Sequence, residues 1–417
     1  MSFKNIKLND NVLTLDGVDY ALSGTASIVD NNNSSFKGVN AVDNNDDTIT
    51  LNINGNEIIV NKYVVASGWT FGVSGLTQST PALTRTDDSA NFTWSKNAST
   101  GIITTDFDNY FNFERVVRGN NTFVRIPKMY FKRTADTIQL SDHAQEGFSV
   151  HPCFLDESGN ENAYFDVGAY KGYNNNGVLE SKSGISTTGG VSLTDWRTYA
   201  RANNTGSDYQ YFVGDMRYLS LLWMLWMIVF ATRQTEDVMG TTWYSYQNAT
   251  SGNTDSLVNN DLTYPLDICA QDPTTHSFKF FGIEDVVSAG REWIDGVVFN
   301  DSAIWISTKP SEYASFTSSP FTNYTQLSYT RPTTSGNITE MGLDTTYPLI
   351  MYPSATDGTE TYTTYYCDKE YYGSDVKALF FGASYFDASY GVFYVDGDYV
   401  FSSTVGSIRC RLCSQPL

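Results

Sequence analysis

The sequence has few basic side chains: 26 lysines and arginines stand against 46 aspartates and glutamates, so the formal net charge of the 417 residues is −20. Proteins that bind nucleic acids or anionic lipids need a basic surface to displace counterions. A surface this acidic repels polyanions. We therefore expect neither a nucleic-acid partner nor membrane insertion.

Histidine is scarcer still, and its three copies, His143, His151 and His276, lack the H-E-x-x-H or H-x-H spacing that places two imidazoles on one zinc ion. A zinc enzyme is therefore not expected. The chain also has no G-x-S-x-G elbow and no glycine-rich phosphate loop, so no motif supports a serine hydrolase or a nucleotide enzyme. His151 precedes Pro152 in an apolar run, and we interpret it as a hydrogen-bonded structural residue.

Cysteines are few and odd in number, five in all, which does not fit the even framework of a small disulfide-rich secreted protein. Cys410 and Cys413 form a single C-x-x-C pair, which supplies at most two zinc ligands, so we interpret Cys410 as a packed strand residue. The longest apolar run, Leu219 to Ala231, is shorter than the roughly 20 residues of a membrane span and predicts a buried helix. The first residues do not resemble a secretory signal, so export by that route is not expected.

Residues 1–66 alternate apolar and polar side chains in short runs, for example at Val12 to Leu15, Thr48 to Ile53 and Glu57 to Val60. Period-two alternation punctuated by Asp-Gly and Asn-Gly predicts β-hairpins. A β segment this short and poor in aromatics is hard to stabilise alone. We expect residues 1–66 to be a small all-β attachment or oligomerisation segment.

Residues 67–417 are dense in aromatics and glycine, and we expect them to form a second, larger domain. Its one convincing helix is predicted from about Asp215 to Arg233, apolar nearly all round and therefore central. Aperiodic segments rich in Ser, Thr, Asn and Gly predict surface loops or insertions at Ser251 to Asn260, Ser311 to Asn323 and Thr333 to Thr346. The predicted fold class is α+β, rich in β-structure.

Acidic side chains leave two chemical hypotheses open. Paired carboxylates could perform glycosidase chemistry, and Glu284, Asp285, Glu292 and Asp295 are the candidates, although their neighbours favour turn and packing roles. Sequence does not give the separation between carboxylates that this chemistry requires.

A second hypothesis concerns calcium, which takes oxygen ligands. Asp387, Asp396, Asp398 and the Asp295-Gly296 turn could supply them, but the twelve-residue calcium-loop pattern is missing, and solvated turn acids are the favoured interpretation. We expect no cofactor, with calcium as the one possible exception.

The most unusual stretch is Phe380 to Val405, which alternates Tyr and Phe with Ser, Asp and Gly and contains no Lys, Arg, Glu, Gln, Met or Trp. Tyrosine gives rigid amphipathic contact area and Ser, Gly and Asp give adaptable hydrogen bonds, as in an antibody paratope. A tyrosine-rich hairpin packed in the core is the alternative. The predicted receptor-binding residues are Tyr385, Phe386, Asp387, Ser389, Tyr390, Phe393, Tyr394, Asp396, Asp398 and Tyr399.

Several segments resemble phage tail fibre and receptor-binding proteins whose C-terminal half is a C-type-lectin-like domain, related to formylglycine-generating enzymes. The resemblance is carried by GIEDVVSAGREWIDGV (282–297), FFGASY (380–385) and GSIRCRL (406–412), and upstream by LTRTDDS (83–89), FDNYFNFERV (107–116), FVRIPKMYFK (123–132), FSVHPCF (148–154) and VGAYKG (167–172). The enzymes of that family use a cysteine pair shortly before the last block, and this chain has none there. The resemblance therefore implies no oxidase activity.

The resemblance implies a C-type-lectin-like domain with long loop insertions over residues 67–417, displayed on a phage tail in the virion. The implied function is host adhesion through a bacterial surface glycan or protein, with residues 1–66 joining other tail proteins and the chain assembled as a homotrimer. In retroelement-diversified members of the family, the variable residues lie in the C-terminal stretch and are of the types found in Phe380 to Val405.

Two other functions remain alternatives. One is a tail-associated glycosidase or another enzyme of the same fold that acts on surface polysaccharide. The other is a purely structural tail component whose tyrosine-rich loops pack against neighbouring subunits.

Overall fold

The structure is a computed structural model, which describes residues 6–9, 12–15, 18–21, 39–43, 48–53, 56–61, 68–240, 249–258, 268–359, 365–383 and 390–417. The chain divides into two compact units. Unit 1 comprises residues 1–67 with 260–265, and unit 2 comprises residues 68–259 with 266–417.

Unit 1 contains two antiparallel three-stranded sheets. Its strands are β1 (Ile6–Asn9), β2 (Val12–Leu15), β3 (Val18–Ala21), β4 (Val39–Asp43), β5 (Thr48–Ile53) and β6 (Asn56–Asn61). The sheet orders are β1-β2-β3 and β4-β5-β6. The three alternating runs of this segment all lie in strands, as the sequence predicts, because period-two alternation gives each strand one apolar face.

Unit 2 is built mainly of short strands. They are β7 (Thr70–Ser74), β8 (Thr84–Asp87), β9 (Trp94–Lys96), β10 (Ile102–Thr105), β11 (Glu114–Arg118), β12 (Asn121–Pro127), β13 (Tyr130–Arg133), β14 (Thr137–Ser141), β15 (Ser149–Val150), β16 (Tyr164–Asn175), β17 (Val178–Ser181), β18 (Tyr209–Val213), β19 (Cys269–Gln271), β20 (Phe278–Phe280), β21 (Ile283–Glu284), β22 (Arg291–Asn300), β23 (Ala303–Ile306), β24 (Thr325–Thr330), β25 (Gly336–Met341), β26 (Pro353–Thr356), β27 (Lys369–Tyr372), β28 (Val376–Phe381), β29 (Val395–Gly397), β30 (Ile408–Arg409) and β31 (Arg411–Pro416). The α-helices are α1 (Leu193–Arg201), α2 (Met216–Phe230) and α3 (Glu236–Met239), and 3-10 turns occur at Asp106–Asn109, Pro152–Phe154, Ala202–Asn204 and Pro310–Glu312.

These strands form four sheets. Two smaller sheets have the orders β21-β20-β19-β10-β9 and β15-β13-β14-β7-β8. The β31 sheet has the order β11-β12-β16-β31-β18, with β17 paired to β16. The β22 sheet has the order β24-β23-β22-β28-β29-β27-β25-β26, with β30 paired in parallel to β22. The described chain is therefore rich in β-structure with little helix, as the sequence predicts.

Helix α2 lies in the core of unit 2, and every one of its residues is buried. Asp215 caps its N-terminus by accepting hydrogen bonds from the backbone N–H groups of Arg217 and Tyr218, both at 3.0 Å. Ala231 ends it in a left-handed conformation with φ of 51°. The predicted central helix is thus confirmed. No helix in the described part of the chain is both long enough and apolar enough to span a membrane.

Two local expectations differ from the structure. Helix α1 was not predicted, although Ser192 caps it and Leu193, Trp196 and Ala200 bury one face; it is too short for its periodicity to stand out. The predicted loop Thr333 to Thr346 contains the partly buried strand β25, so that expectation was wrong there. Hydrogen bonding to β26 and β27 stabilises this strand. Such pairing does not require an alternation of apolar and polar residues, so a Ser/Thr/Asn-rich segment gives no sign of it in the sequence.

Candidate functional site

The ten predicted receptor-binding residues fall into two groups. Tyr385, Phe386, Asp387 and Ser389 lie outside the described residues. The structure describes the other six. They lie in the turn before β29, in β29 itself and directly after it: Tyr390, Phe393, Tyr394, Asp396, Asp398 and Tyr399.

Strands β28 and β29 hold these residues in place. They pair antiparallel, with Phe380 opposite Asp396 and Phe381 opposite Val395. Gly391 begins the return to β29, and a Cβ at this position would collide with Thr235 and Asp368. Only glycine fits such a close approach.

Three of the six described residues are buried. Phe393 and Tyr394 are fully buried and Asp396 is 4% exposed. The Phe393 ring packs against Tyr366 and Trp223, with centroids 5.1 and 5.8 Å apart. The packed-core alternative therefore describes Phe393, Tyr394 and Asp396, whereas Tyr390 and Tyr399 are half-buried and Asp398 is exposed.

Aromatic rings gather around one arginine to form what we call the Arg291 cluster. Its members are Arg291, Tyr371, Phe380, Tyr390, Tyr394 and Tyr399. The Arg291 guanidinium lies 5.2 Å from the centroid of Phe380, 5.4 Å from that of Tyr390 and 5.3 Å from that of Tyr394. These distances allow cation–π attraction to three rings at once.

The rings of the Arg291 cluster also pack on one another. Tyr394 lies 4.5 Å from Tyr390 and 6.1 Å from Tyr371, and Phe380 lies 5.5 Å from Tyr399. The buried Trp293 supports Phe380 edge-on at 5.6 Å and donates its indole N–H to the carbonyl of Val191. Phe380 and Tyr394 therefore form the buried base of the cluster. Tyr371, Tyr390 and Tyr399 are half-buried and form its rim.

Asp396 sets the electrostatics beneath the cluster. The Tyr394 hydroxyl donates to its Oδ2 at 2.9 Å, and the backbone N–H of Asp398 donates to its Oδ1 at 3.1 Å. Burial raises the pKa of Asp396 well above its usual range, and the neighbouring Asp398 carboxylate adds to the rise. Burial also raises the pKa of Tyr394, so both groups favour the neutral form.

Sequence reasoning named Tyr390, Tyr394 and Tyr399 of this cluster as binding residues but did not name Arg291, Tyr371 or Phe380 among them. Arg291 lies 99 residues before Tyr390 in the numbering, in a different sequence block, so only the sheet brings the two together. The signal that could have found Tyr371 is the aromatic pair Tyr371-Tyr372 just before β28.

The four carboxylates of the glycosidase hypothesis are all buried in unit 2, and each accepts hydrogen bonds from other groups of the protein. Glu284 accepts from the backbone N–H of Gly252 at 2.7 Å and of Thr254 at 2.8 Å, and burial raises its pKa to about 7. Asp295 is held by the guanidinium of Arg197 at 2.8 Å.

The other two carboxylates are equally engaged. Asp285 accepts from the hydroxyls of Ser277 at 2.6 Å and Ser288 at 2.9 Å. Glu292 pairs with Arg411 at 2.6 Å and Lys171 at 3.0 Å. All four carboxylates are thus engaged by protein donors.

His151 and the cysteines lie in the core. His151 is fully buried and accepts a hydrogen bond from the backbone N–H of Cys153 at 3.3 Å, the structural role predicted for it. All five cysteines are buried. Within the described ranges, no group of three or more His, Cys, Asp or Glu side chains is arranged to hold a metal ion; Asp387, one of the residues considered for calcium, lies outside them.

Sequence blocks that are far apart in the chain meet in the two large sheets. In the β22 sheet, Trp293 pairs with Phe380, and Glu292 pairs in parallel with Arg409, so block 282–297 adjoins the described part of block 380–385 on one side and block 406–412 on the other. In the β31 sheet, Phe123 pairs with Gly168, and Val167 pairs with Cys413.

No protein-family model matches the chain, and a search of curated proteins gave no match.

Proposed function

We propose that this protein is a phage tail receptor-binding protein whose unit 2 is a C-type-lectin-like domain with long loop insertions. It binds a bacterial surface receptor, a glycan or a protein, through the Arg291 cluster and through residues 384–389, which precede Tyr390 in the sequence. It carries no catalytic activity, and it takes its place in the virion through unit 1 as a homotrimer with other tail proteins.

The observation that carries the proposal is the half-buried rim of Tyr371, Tyr390 and Tyr399 on a fully packed base. Such rings are ordered before a ligand arrives, so binding costs little further side-chain entropy. Each tyrosine offers both an aromatic face and a hydroxyl, which suits a sugar ring or a protein side chain.

The spatial meeting of the resemblance-bearing blocks also supports the proposal. Blocks at residues 282–297, 380–385 and 406–412 pair in one sheet, so they act as one structural unit and not as separate local coincidences. The residue types of Phe380 to Val405 are consistent with retroelement diversification; sequencing the region around the gene tests this, and the absence of a template copy would contradict it.

The test is binding of the labelled full-length protein to whole cells of candidate bacterial hosts, with and without calcium. The variant changes Tyr371, Tyr390 and Tyr399 to Ala, which removes the rim and leaves the buried base. A matched control changes three half-buried tyrosines elsewhere in unit 2, Tyr110, Tyr130 and Tyr347, to Ala.

Saturable binding that falls at least about tenfold in the rim variant, with the control unchanged, supports the proposal. Equal binding by both variants contradicts a receptor site at the Arg291 cluster. Release of sugars from purified surface polysaccharide would favour the enzyme alternative. Rim variants that adsorb normally but block particle assembly would favour the structural alternative.

A further inference from the structure

A cleft lies in unit 2, where the β11–β12 hairpin meets β17, β18 and the turn after α1. Its volume is about 470 Å³, within the range of small-molecule sites. The lining side chains that matter here are Arg118, Asn120, Glu180, Asn203, Ser207 and Tyr211. None of them belongs to the Arg291 cluster. We call this the Glu180 cleft.

Glu180 is held firmly by one of its two carboxylate oxygens. Its Oε1 accepts hydrogen bonds from the side-chain amides of Asn120 at 2.9 Å and Asn175 at 3.0 Å. The residue is only 4% exposed, and its Oε2 is buried without a hydrogen-bond partner among the described residues. A buried acceptor without a donor is costly, so this oxygen calls for a donor that enters from the cleft.

The other polar groups of the Glu180 cleft are fixed in position. The Asn203 amide donates to the carbonyls of Leu179 at 3.0 Å and Ala200 at 3.2 Å. The Ser207 hydroxyl accepts from the backbone N–H of Tyr209 at 3.0 Å, which leaves its hydrogen able to donate. The cleft thus offers an acceptor, Oε2 of Glu180, and a donor, the Ser207 hydroxyl. A hydroxyl group of a ligand can donate to the first and accept from the second.

The charges of Arg118, Arg125, Asp166 and Glu180 cancel. Arg118 and Arg125 share the single carboxylate of Asp166, at 2.7 and 3.0 Å, which leaves one excess positive charge beside the cleft. Glu180 supplies the balancing negative charge. An anionic ligand would meet Glu180 and the field of a chain with net charge −20, and a cationic ligand would meet Arg118.

We propose that the Glu180 cleft binds a neutral sugar residue, with a ring hydroxyl donating to Oε2 of Glu180 and the Tyr211 ring forming part of the wall. The site would give the protein a second contact with a surface glycan, apart from the Arg291 cluster. Its biological role rests on the proposed function, but sugar binding at the cleft does not.

The test uses saturation-transfer difference NMR on the full-length protein without cells. The probes are the methyl glycosides of glucose, galactose, mannose and N-acetylglucosamine, with methyl glucuronide and a neutral tripeptide as comparators. The variant is Glu180→Gln, which keeps the shape and replaces the unpartnered oxygen. Glu340→Gln, which makes the same change at an exposed carboxylate elsewhere in unit 2, is the matched control.

We expect at least one neutral glycoside to bind, with affinity about tenfold lower in Glu180→Gln and unchanged in Glu340→Gln, since one hydrogen bond to a charged acceptor is lost. Circular dichroism spectra shared by all three proteins show that the variants are folded. Binding of no neutral glycoside, equal binding by Glu180→Gln and wild type, or binding of only the glucuronide or the peptide overturns the proposal.

Failure of this proposal and failure of the proposed function are distinguishable. Loss of cell adsorption in the tyrosine rim variant concerns the Arg291 cluster alone. Loss of glycoside binding in Glu180→Gln concerns the Glu180 cleft alone.

Discussion

Glu292 and Arg411 lie 119 positions apart in the chain, yet their side chains meet at 2.6 Å in the core of unit 2. Arg411 also donates to the carbonyls of Gly168 and Glu284, and Lys171 approaches the same Glu292 carboxylate at 3.0 Å. Although burial opposes ionisation, the two cations lower the pKa of Glu292 below its ordinary value. One arginine thus joins the β22 sheet to the β31 sheet.

Arg411→Met is expected to lower the free energy of unfolding of unit 2 by roughly 3 kcal/mol, because it leaves the buried Glu292 carboxylate with Lys171 alone and leaves several carbonyls without their donor. Tryptophan fluorescence during denaturant titration measures this, since all eight tryptophans follow residue 67. Lys128→Met, which breaks the exposed Lys128–Glu161 pair, is the control and should cost less than about 1 kcal/mol. Equal losses of unfolding free energy in the two variants would contradict the prediction that the buried pair contributes more to stability than the exposed pair.

His151 predicts a defined acid sensitivity. Burial lowers its pKa to about 3 from an ordinary value of 6.5, so between these values the unfolded chain binds a proton that the folded chain does not. Its contribution to stability is therefore present above pH 6.5 and is lost as pH falls toward 3, at up to about 1.4 kcal/mol per pH unit. The free energy of unfolding of His151→Phe should fall less steeply over this window. A slope for His151→Phe equal to that of the wild-type protein between pH 3 and 6.5 would contradict this prediction.

Gly391→Ala should destabilise unit 2 by about 1–3 kcal/mol, because the added Cβ would collide with Thr235 and the buried Asp368 carboxylate. It should also weaken receptor binding, since Gly391 precedes the buried anchor Phe393. Gly406→Ala is the matched control, because a Cβ there would meet no atom within 4 Å. Thermal melting compares the two, and a Gly391 variant as stable as the Gly406 variant would contradict the close packing of this turn.

Asp396→Asn should become relatively more stable as pH rises. The raised pKa of Asp396 means that the folded chain holds a proton that the unfolded chain releases above about pH 4, so wild-type stability falls as pH increases through this window. Asparagine cannot ionise, and the variant lacks this loss. Unfolding free energies at about pH 4 should agree within about 1 kcal/mol, with the variant ahead at about pH 8. A variant whose unfolding free energy changes with pH in parallel with that of the wild-type protein would contradict this prediction.

Elements defined by local pattern could be predicted from the sequence. Helix α2 was predicted because its apolar residues leave no polar face, and the hairpin strands β2, β5 and β6 because alternation is a property of neighbouring residues. Strand β25 was not predicted, since its stability comes from partners 10 or more positions away in the chain.

The candidate site shows the same division. The composition of Phe380 to Val405 identified a tyrosine-rich segment, but not which rings are exposed, because burial of Phe393 and Tyr394 depends on partners such as Trp223 and Arg291. The Glu180 cleft had no sequence signal at all. Its polar groups come from four separate segments that only the folded sheets bring together.

Strand β31 lies between β16 and β18, so the middle of its sheet is supplied by residues 411–416. A ribosome delivers these residues some 240 positions after β16 (Tyr164–Asn175) has emerged. The nascent chain must therefore keep two unpaired strand edges apart from other chains until synthesis reaches β31. This sheet of unit 2 is therefore completed only once residues 411–416 have been made, and a chain truncated before residue 411 would expose edges able to pair with a second copy and aggregate.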